Sequence, residues 1–331
     1  MRNKQFIFYF LFSPFILIGI IFILNVIIDP FNMTEYNILH IKYKYARDDR
    51  TEKIERVKKI PYISNLILGS SRSQSMNPQI ITNTLGGYSY NFGVGGGGTP
   101  EALGLLLYLQ HKNKLPKNIL LVLDFSSFLT DGYHPSFLKI KELNFINKKV
   151  ETSNQIKKFI SIDAVRASFK TLKAHIKKTT PYSYFREDGL SVALKKRVVA
   201  DKGSKVKYLA DKYYKIVYDN GKASVSGIKI KYLKNIVNLC RKNNIHLYVT
   251  LSPVLNYQLD LIYSSNFSKV LNSFKKTIAS LTPFCDAMIE NEYTTNESLF
   301  GDSVHFSEKY AEIYMNRILK NNDSDICIDR F

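Results

Sequence analysis

The fold is decided by one stretch of the sequence, Tyr62-Ile63-Ser64-Asn65-Leu66-Ile67-Leu68-Gly69-Ser70-Ser71-Arg72. Its first seven residues are mostly apolar or β-favouring, and they predict a strand. The chain then turns at the glycine, so Ser70 and Ser71 are expected just beyond the carboxyl end of that strand. Because open α/β sheets bind their ligands at this edge, the two serines are candidate functional residues.

Strand and helix signals alternate along the chain that follows. Asn77-Pro78 and Thr99-Pro100 each place a capping side chain before a proline, which is typical of a helix start. This alternation predicts an α/β fold with a parallel sheet and helices on both faces. The predicted strands are 62–68, 88–92, 118–124 and 245–251, and the predicted helices are 78–85, 100–113, 226–243, 267–280 and 308–319.

A second polar group lies near the end of the chain, in Gly301-Asp302-Ser303-Val304-His305. Ser307 caps the last predicted helix, so Asp302 and His305 belong to the loop before it. A serine hydroxyl, an imidazole and a carboxylate can act as the nucleophile, the general base and the group that orients the base in acyl transfer. Taken singly, such residues are common in ordinary turns. Their joint placement favours a catalytic site.

The order of these blocks resembles that of the SGNH (GDSL-like) hydrolase superfamily, over roughly residues 62–126 and 245–319. In that family the nucleophile follows a glycine and one further residue, which implies Ser71, with Asp302 and His305 as its partners. A second serine in place of the family's aspartate is similar to the membrane-anchored branch that includes DltD and the alginate O-acetylation proteins. The resemblance implies a flavodoxin-like doubly wound parallel sheet over 62–320.

The resemblance also implies an oxyanion hole. Asn91-Phe92-Gly93-Val94-Gly95-Gly96 matches the family's second block, Asn-x-x-x-x-Gly, so Gly96 is the expected donor beside the amide of Ser71. The third block, Gly-x-Asn-Asp, is not matched, because the strand there runs into Asp124-Phe125-Ser126-Ser127. The hydroxyl of Ser126 or of Ser127 is expected to replace the missing amide. Because serine is shorter than asparagine, a catalytically inactive glycan-binding or scaffold protein is the alternative.

Gly93 to Gly98 also satisfies the Gly-x-Gly-x-x-Gly pattern of dinucleotide-binding folds. Asp124, at the end of the next strand, lies where a ribose-binding acid belongs. However, consecutive glycines fit many patterns, and the preceding strand is short and polar for the first strand of such a fold. Dinucleotide binding therefore ranks below acyl transfer, and no cofactor is predicted.

The N-terminal segment is strongly apolar. Between 6 and 28 the apolar run is interrupted only by Ser13, Pro14 and Asn25. Such a helix crosses a hydrocarbon layer of ~30 Å, so 1–28 is predicted to be a transmembrane anchor. A signal peptide is the alternative, but this run is longer than the usual signal core and lacks a small-x-small site. Basic residues flank the segment on both sides, so charge does not decide its orientation in the membrane. The resemblance implies an extracytoplasmic domain with the N-terminus inside.

Composition sets the remaining expectations. We predict a charged connector over 29–61, a basic insertion over 129–225 and a C-terminal tail over 321–331. The insertion is interpreted equally as a lid or acceptor-binding surface and as a structural cap or docking face. The net charge of +19 favours an anionic partner. Without a nucleic-acid-binding motif, we expect this partner to be lipid or glycan and not nucleic acid.

The three cysteines, Cys240, Cys285 and Cys327, and the six histidines lack metal-ligand spacing, so no metal is predicted. The expected function is that of a membrane-anchored acyltransferase or esterase that moves acyl groups, with O-acetyl favoured, on an envelope polysaccharide or glycolipid. The reaction type follows from the three candidate residues, whereas the glycan substrate comes from the resemblance alone. A multi-pass membrane O-acyltransferase is implied as a partner in the same way.

Overall fold

A computed structural model describes residues 2–30, 38–39, 41, 49–132, 137, 140, 142–143, 160–178, 183–193, 202–219 and 223–320. Side chains of the first helix are described from residue 12 onward. The predicted tail over 321–331, most of 29–48 and parts of the insertion lie outside these residues.

Five parallel strands form the central sheet: β1 (Asn65–Leu68), β2 (Ser89–Asn91), β3 (Asn118–Leu123), β6 (His246–Leu251) and β7 (Cys285–Asp286). Their order across the sheet is β2-β1-β3-β6-β7. The other two strands, β4 (Ser183–Phe185) and β5 (Ser191–Ala193), form a separate antiparallel hairpin. Counted within the sheet alone, the order is 2-1-3-4-5, as in flavodoxin-like sheets. The predicted α/β fold is thus confirmed, and the sheet is compatible with a doubly wound fold.

Helices flank both faces of the sheet. They are α1 (Arg2–Ile28), α2 (Asp49–Lys59), α3 (Pro78–Leu85), α4 (Thr99–His111), α5 (Ile162–Ile176), α6 (Lys202–Tyr214), α7 (Gly227–Lys242), α8 (Asn256–Tyr263), α9 (Phe267–Leu281) and α10 (Glu308–Lys320). Because side chains alternate along a strand, Leu66 packs in one buried cluster with α4, α7 and α9, whereas Ile67 packs in another with α3 and α10.

The helix starts follow the capping signals. Asn77 Oδ1 accepts a hydrogen bond of 3.1 Å from the amide of Gln79, as predicted for α3. The prediction for α4 was wrong by one residue, because Thr99 is already helical and Gly98 holds the capping position. The amide of Gly98 donates to Glu101 Oε2 over 3.1 Å, so a glutamate in the first turn satisfies the donor that precedes the helix.

The described end of the predicted connector over 29–61 forms the helix α2, which packs into the domain. Lys53 is fully buried, and its Nζ donates to the carbonyls of Asn91 at 2.9 Å and Gly93 at 2.6 Å. Arg50 forms a buried ion pair of 2.8 Å with Glu101. These two charges of the predicted connector are therefore paired inside the protein, as buried charges must be.

The insertion covers one edge of the sheet. At the turn between β4 and β5, the carbonyl of Asp188 accepts a hydrogen bond of 2.8 Å from the amide of Asn91 in β2. Gly189 has a φ of +82°, and a Cβ there would lie 2.1 Å from the Asn91 carbonyl oxygen. A glycine is therefore required at this contact. The hairpin shields an edge strand that would otherwise offer free backbone groups.

The N-terminal helix contacts the insertion, since Ser168 Oγ of α5 donates to Asn25 Oδ1 over 2.6 Å. Within the described part of the chain, no helix has both the length and the apolar character needed to cross a lipid bilayer. The predicted span over 6–28 is therefore unsupported by the structure. Cys240 is buried and free, and Cys285 forms a disulfide.

Candidate active site

The two serines lie at the carboxyl end of β1, next to β3, where the strand order reverses direction. This is the switch point at which doubly wound sheets bind ligands. A Cβ on Gly69 would lie 2.8 Å from Ser73 Oγ and 3.0 Å from Val122 Cβ. Only a glycine lets the chain leave β1 this close to β3, and the turn then presents Ser71.

Ser71 and His305 meet although 234 positions separate them in the chain. Ser71 Oγ lies 2.8 Å from His305 Nε2. The histidine belongs to a loop held by a β-bridge between Phe300 and Phe306 and by a 2.8 Å hydrogen bond from the amide of Gly301 to the His305 carbonyl. The sequence prediction that these two side chains lie together agrees with this geometry.

Asp302 orients the histidine. Its Oδ2 lies 2.8 Å from His305 Nδ1, and its Oδ1 accepts hydrogen bonds from the amides of Val304 at 2.9 Å and His305 at 2.8 Å. Burial alone would raise the pKa of Asp302. The hydrogen bond and charge of His305 and the two amides outweigh burial and lower this pKa to about 2. Asp302 is therefore an anion at neutral pH.

The ionised carboxylate fixes the proton on the imidazole. A carboxylate can only accept hydrogen bonds, so His305 Nδ1 must carry the proton that points to Asp302. In the neutral ring, Nε2 then presents a lone pair to the Ser71 hydroxyl. The three side chains are thus arranged so that Ser71 donates to the histidine, as a nucleophile donates to its general base.

Two backbone amides beside Ser71 are available to bind an oxyanion. Neighbouring amides are engaged: that of Arg72 donates to Ser70 Oγ at 3.1 Å, and that of Gly97 to the Val94 carbonyl at 2.9 Å. In the described residues, by contrast, the amides of Ser71 and Gly96 have no hydrogen-bond acceptor. Gly96 has a φ of +62°, a conformation that favours glycine.

The structure distinguishes the two candidate hydroxyls that follow β3. Ser127 Oγ donates to the Asp124 carbonyl at 2.7 Å, so its proton is engaged. Ser126 Oγ accepts a hydrogen bond of 3.0 Å from the Tyr213 hydroxyl, which leaves its own proton for another acceptor. Both serines border the same cleft as Ser71, but Ser126 is the better donor to a substrate oxygen.

A buried polar network supports the turn that carries Ser71, and the sequence did not predict this network. Ser70 donates to Asp124 Oδ2, and Arg72 Nε lies 3.6 Å from the same oxygen. Arg72 Nη2 also donates to the Tyr213 hydroxyl at 3.1 Å. The arginine directly after the serine pair was a usable signal. Tyr213, inside an insertion without a clear pattern, was not.

The cleft over these residues has a volume of about 580 Å³. Leu129, Ile216, Val217 and Val304 give it apolar walls, and Lys229 is a cation on its lining. Desolvation lowers the pKa of Lys229, whose Nζ donates to the Ser127 carbonyl at 2.6 Å. Because Ile216 and Val217 belong to the insertion, the insertion forms part of the cleft wall.

The glycine loop has few donors for a nucleotide phosphate. The amide of Gly93 donates to Asn91 Oδ1 at 2.7 Å, and that of Gly95 to Asp49 Oδ2 at 3.1 Å. Asp124 Oδ2 is engaged by Ser70 and Arg72, and Asp124 Oδ1 is buried, so the carboxylate is not presented to a ribose. The loop geometry therefore favours an oxyanion donor over a dinucleotide cradle. Among the described residues, no group of three His, Cys, Asp or Glu side chains could hold a metal.

The sequence matches no protein-family model and no curated protein. The fold and the site nevertheless define a class of arrangement: an α/β protein with a serine, a histidine and a carboxylate at the switch point of its parallel sheet.

Proposed function

We propose that this protein is a serine esterase or acyltransferase in which Ser71 is the nucleophile, His305 the general base and Asp302 the residue that orients the base. The observation that carries the proposal is the pair of 2.8 Å contacts from Ser71 Oγ to His305 Nε2 and from His305 Nδ1 to Asp302 Oδ2. The unengaged amides of Ser71 and Gly96 support it, because an acyl-transfer site needs fixed donors for the oxyanion.

In the proposed reaction, Ser71 Oγ attacks the acyl carbonyl carbon and its proton passes to His305 Nε2. The tetrahedral oxyanion is held by the amides of Ser71 and Gly96 and by the hydroxyl of Ser126. The bond to the alcohol oxygen then breaks, and His305 returns the proton to this leaving group. Water or an acceptor hydroxyl attacks the acyl-serine, gives its proton to His305, and frees the Ser71 oxygen, which takes the proton back.

The proposed substrate is an acyl ester, with O-acetyl favoured, on an envelope polysaccharide or glycolipid. The resemblance to the SGNH superfamily supports this choice, as does a cleft volume of about 580 Å³, which suits an acylated sugar. An extracytoplasmic site and a multi-pass membrane O-acyltransferase as partner belong to the same proposal and rest on the resemblance.

Labelling with a serine-directed fluorophosphonate, followed by intact-mass analysis, tests the proposal. We expect one adduct on the native chain and none on Ser71→Ala, with labelling of His305→Ala strongly slowed. Ser264→Ala is the matched control, because this serine is exposed and lies outside the cleft, and we expect it to leave labelling in place. Equal labelling of Ser71→Ala and the native chain would refute the assignment of the nucleophile.

The alternative is a glycan-binding or scaffold protein without turnover. The absence of the family's asparagine favours it, because Ser126 must then supply the side-chain donor. A folded native chain that binds acetylated polysaccharide, forms no adduct and binds equally well as Ser71→Ala would select this alternative.

A further inference from the structure

The described surface of α5 has two faces of opposite character. Small residues line the buried face: Ala164, Ala167, Ser168, Thr171 and Ala174. On the opposite face, Ile162, Phe169 and Ile176 are exposed by 70%, 71% and 71%. Since these three residues are seven positions apart, they lie along a single line of the helix. Large apolar side chains are thus directed outward while small ones face the protein.

Lysines flank this exposed apolar line. Lys170 and Lys173 are exposed on the same helix, and Lys177 is exposed at its C-cap. In the sequence, no acidic residue follows Asp163 until Glu187. The exposed face of α5 therefore combines large apolar side chains with positive charge. This pattern is typical of a helix that lies in the interface of a membrane.

The neighbouring helix continues the apolar surface. Asn25 and Ser168, which join α1 to α5, are both buried. Beyond this contact, Phe15, Ile16 and Leu17 are among the exposed apolar residues of α1. Two adjacent helices thus present apolar side chains that the described protein does not cover.

We propose that the exposed face of α5 docks on an anionic lipid bilayer, with Ile162, Phe169 and Ile176 in the headgroup and acyl boundary and the lysines on lipid phosphates. Charge complementarity favours an anionic bilayer over other partners. A second copy packed face to face would bring the same lysines together, which is unfavourable. A purely polyanionic partner would leave three large apolar side chains in water. An anionic membrane matches both features.

A local fluorescence probe in the full chain tests the proposal. Phe169→Cys carries the environment-sensitive dye NBD, and Asn272→Cys on α9, also exposed, carries it as the matched control. The native free Cys240 is buried. Each labelled protein is mixed with vesicles of phosphatidylglycerol and phosphatidylcholine, or of phosphatidylcholine alone, that contain a spin-labelled quencher lipid. Ile176→Cys repeats the measurement should Phe169→Cys fold poorly.

We expect quenching at position 169 with the anionic vesicles, little with phosphatidylcholine alone, and little at position 272 with either. Changing Lys170, Lys173 and Lys177 to glutamine is expected to lower the docking equilibrium constant about 5-fold per lysine. Equal quenching at 169 and 272, or equal quenching by both vesicle types, would overturn the proposal. So would NBD burial without vesicles that increases with protein concentration, which would assign the face to a second copy.

Discussion

Tyr213 in the insertion donates a hydrogen bond of 3.0 Å to Oγ of Ser126 at the end of β3. The same phenol oxygen accepts from Arg72 Nη2 at 3.1 Å. One tyrosine therefore connects the turn that holds Ser71 to Ser126, the proposed side-chain donor to the oxyanion. The Tyr213 hydroxyl donates to a lone pair of Ser126 Oγ, so the Ser126 proton must point away from Tyr213. Because Ser126 lines the cleft, this proton is available to an acceptor in the cleft.

Removal of this phenol is predicted to impair turnover more than substrate binding. In Tyr213→Phe, Ser126 loses the hydroxyl that orients it. We expect kcat for 4-nitrophenyl acetate to fall about 10-fold or more. KM should change little, because an oxyanion donor acts mainly in the transition state. Tyr208→Phe, on the same helix but exposed, is the control. Equal kcat in the two variants would exclude a positioning role for Tyr213.

The two serines after β3 are predicted to differ. Ser126→Ala removes the proposed third donor and should lower kcat on the order of 100-fold. Ser127→Ala removes a hydroxyl that is bonded to the Asp124 carbonyl, and we expect less than a 5-fold effect, as for a neutral turn hydrogen bond of about 1 kcal/mol. Steady-state kinetics on both variants shows which of the two serines is the donor. The reverse order of effects would move the donor to Ser127.

The ion pair beneath the nucleophile is predicted to be structural. Side chains of Arg72 and Asp124 are 4% and 8% exposed, and the charge of Asp124 helps to raise the pKa of Arg72 against the opposing effect of burial. Asp124→Ala leaves an unpaired buried cation, which costs about 3–5 kcal/mol.

Urea unfolding monitored by circular dichroism measures this loss. Glu55→Ala, which removes one partner of the partly exposed Lys58, is the control and should cost less than about 1 kcal/mol. A loss for Asp124→Ala no larger than for Glu55→Ala would show that the buried pair is not needed for stability.

Stability is predicted to depend on the ionisation of Asp302. Its pKa is lowered from 3.8 to about 2 in the folded protein, so the folded state favours the carboxylate. The stabilisation, about 2 kcal/mol, is present above pH ~4 and is lost as the pH falls toward 2. Asp302→Asn lacks it, so we expect the difference in unfolding free energy between native and variant chains to shrink over this pH window. A difference in unfolding free energy that does not change with pH would contradict the lowered pKa of Asp302.

The sheet was largely predictable because each strand and helix of the core carries its own local signal. β1, β2, β3 and β6 and helices α3, α4, α7, α9 and α10 were predicted to within a few residues, since apolar periodicity and caps at Asn77 and Ser307 mark them. The strand β7 has only two residues, Cys285–Asp286, and no periodicity can reveal so short an element. α2 was missed because its charged residues are buried by partners distant in sequence.

In the candidate site too, residues with a local sequence signal were predictable, and residues held by distant contacts were not. Ser71, Asp302 and His305 could be predicted because each lies in a short block of recognisable order, and the fold then brings the blocks together. Arg72, Asp124, Tyr213 and Lys229 act through contacts that span from 52 to 141 positions in the chain. Such contacts depend on how distant segments of the chain pack together, which a single sequence does not specify.

The most direct test of the account is to find the acyl group itself. The native chain is mixed with 4-nitrophenyl acetate, quenched in acid within the first turnover, digested and mapped by mass spectrometry. We predict acetyl on the peptide that contains Ser71, localised to Ser71 by fragmentation, with a burst of nitrophenol of about one equivalent and no burst in His305→Ala. Acetyl on Ser70 or on lysines alone, with no burst, would contradict the proposed nucleophile and base.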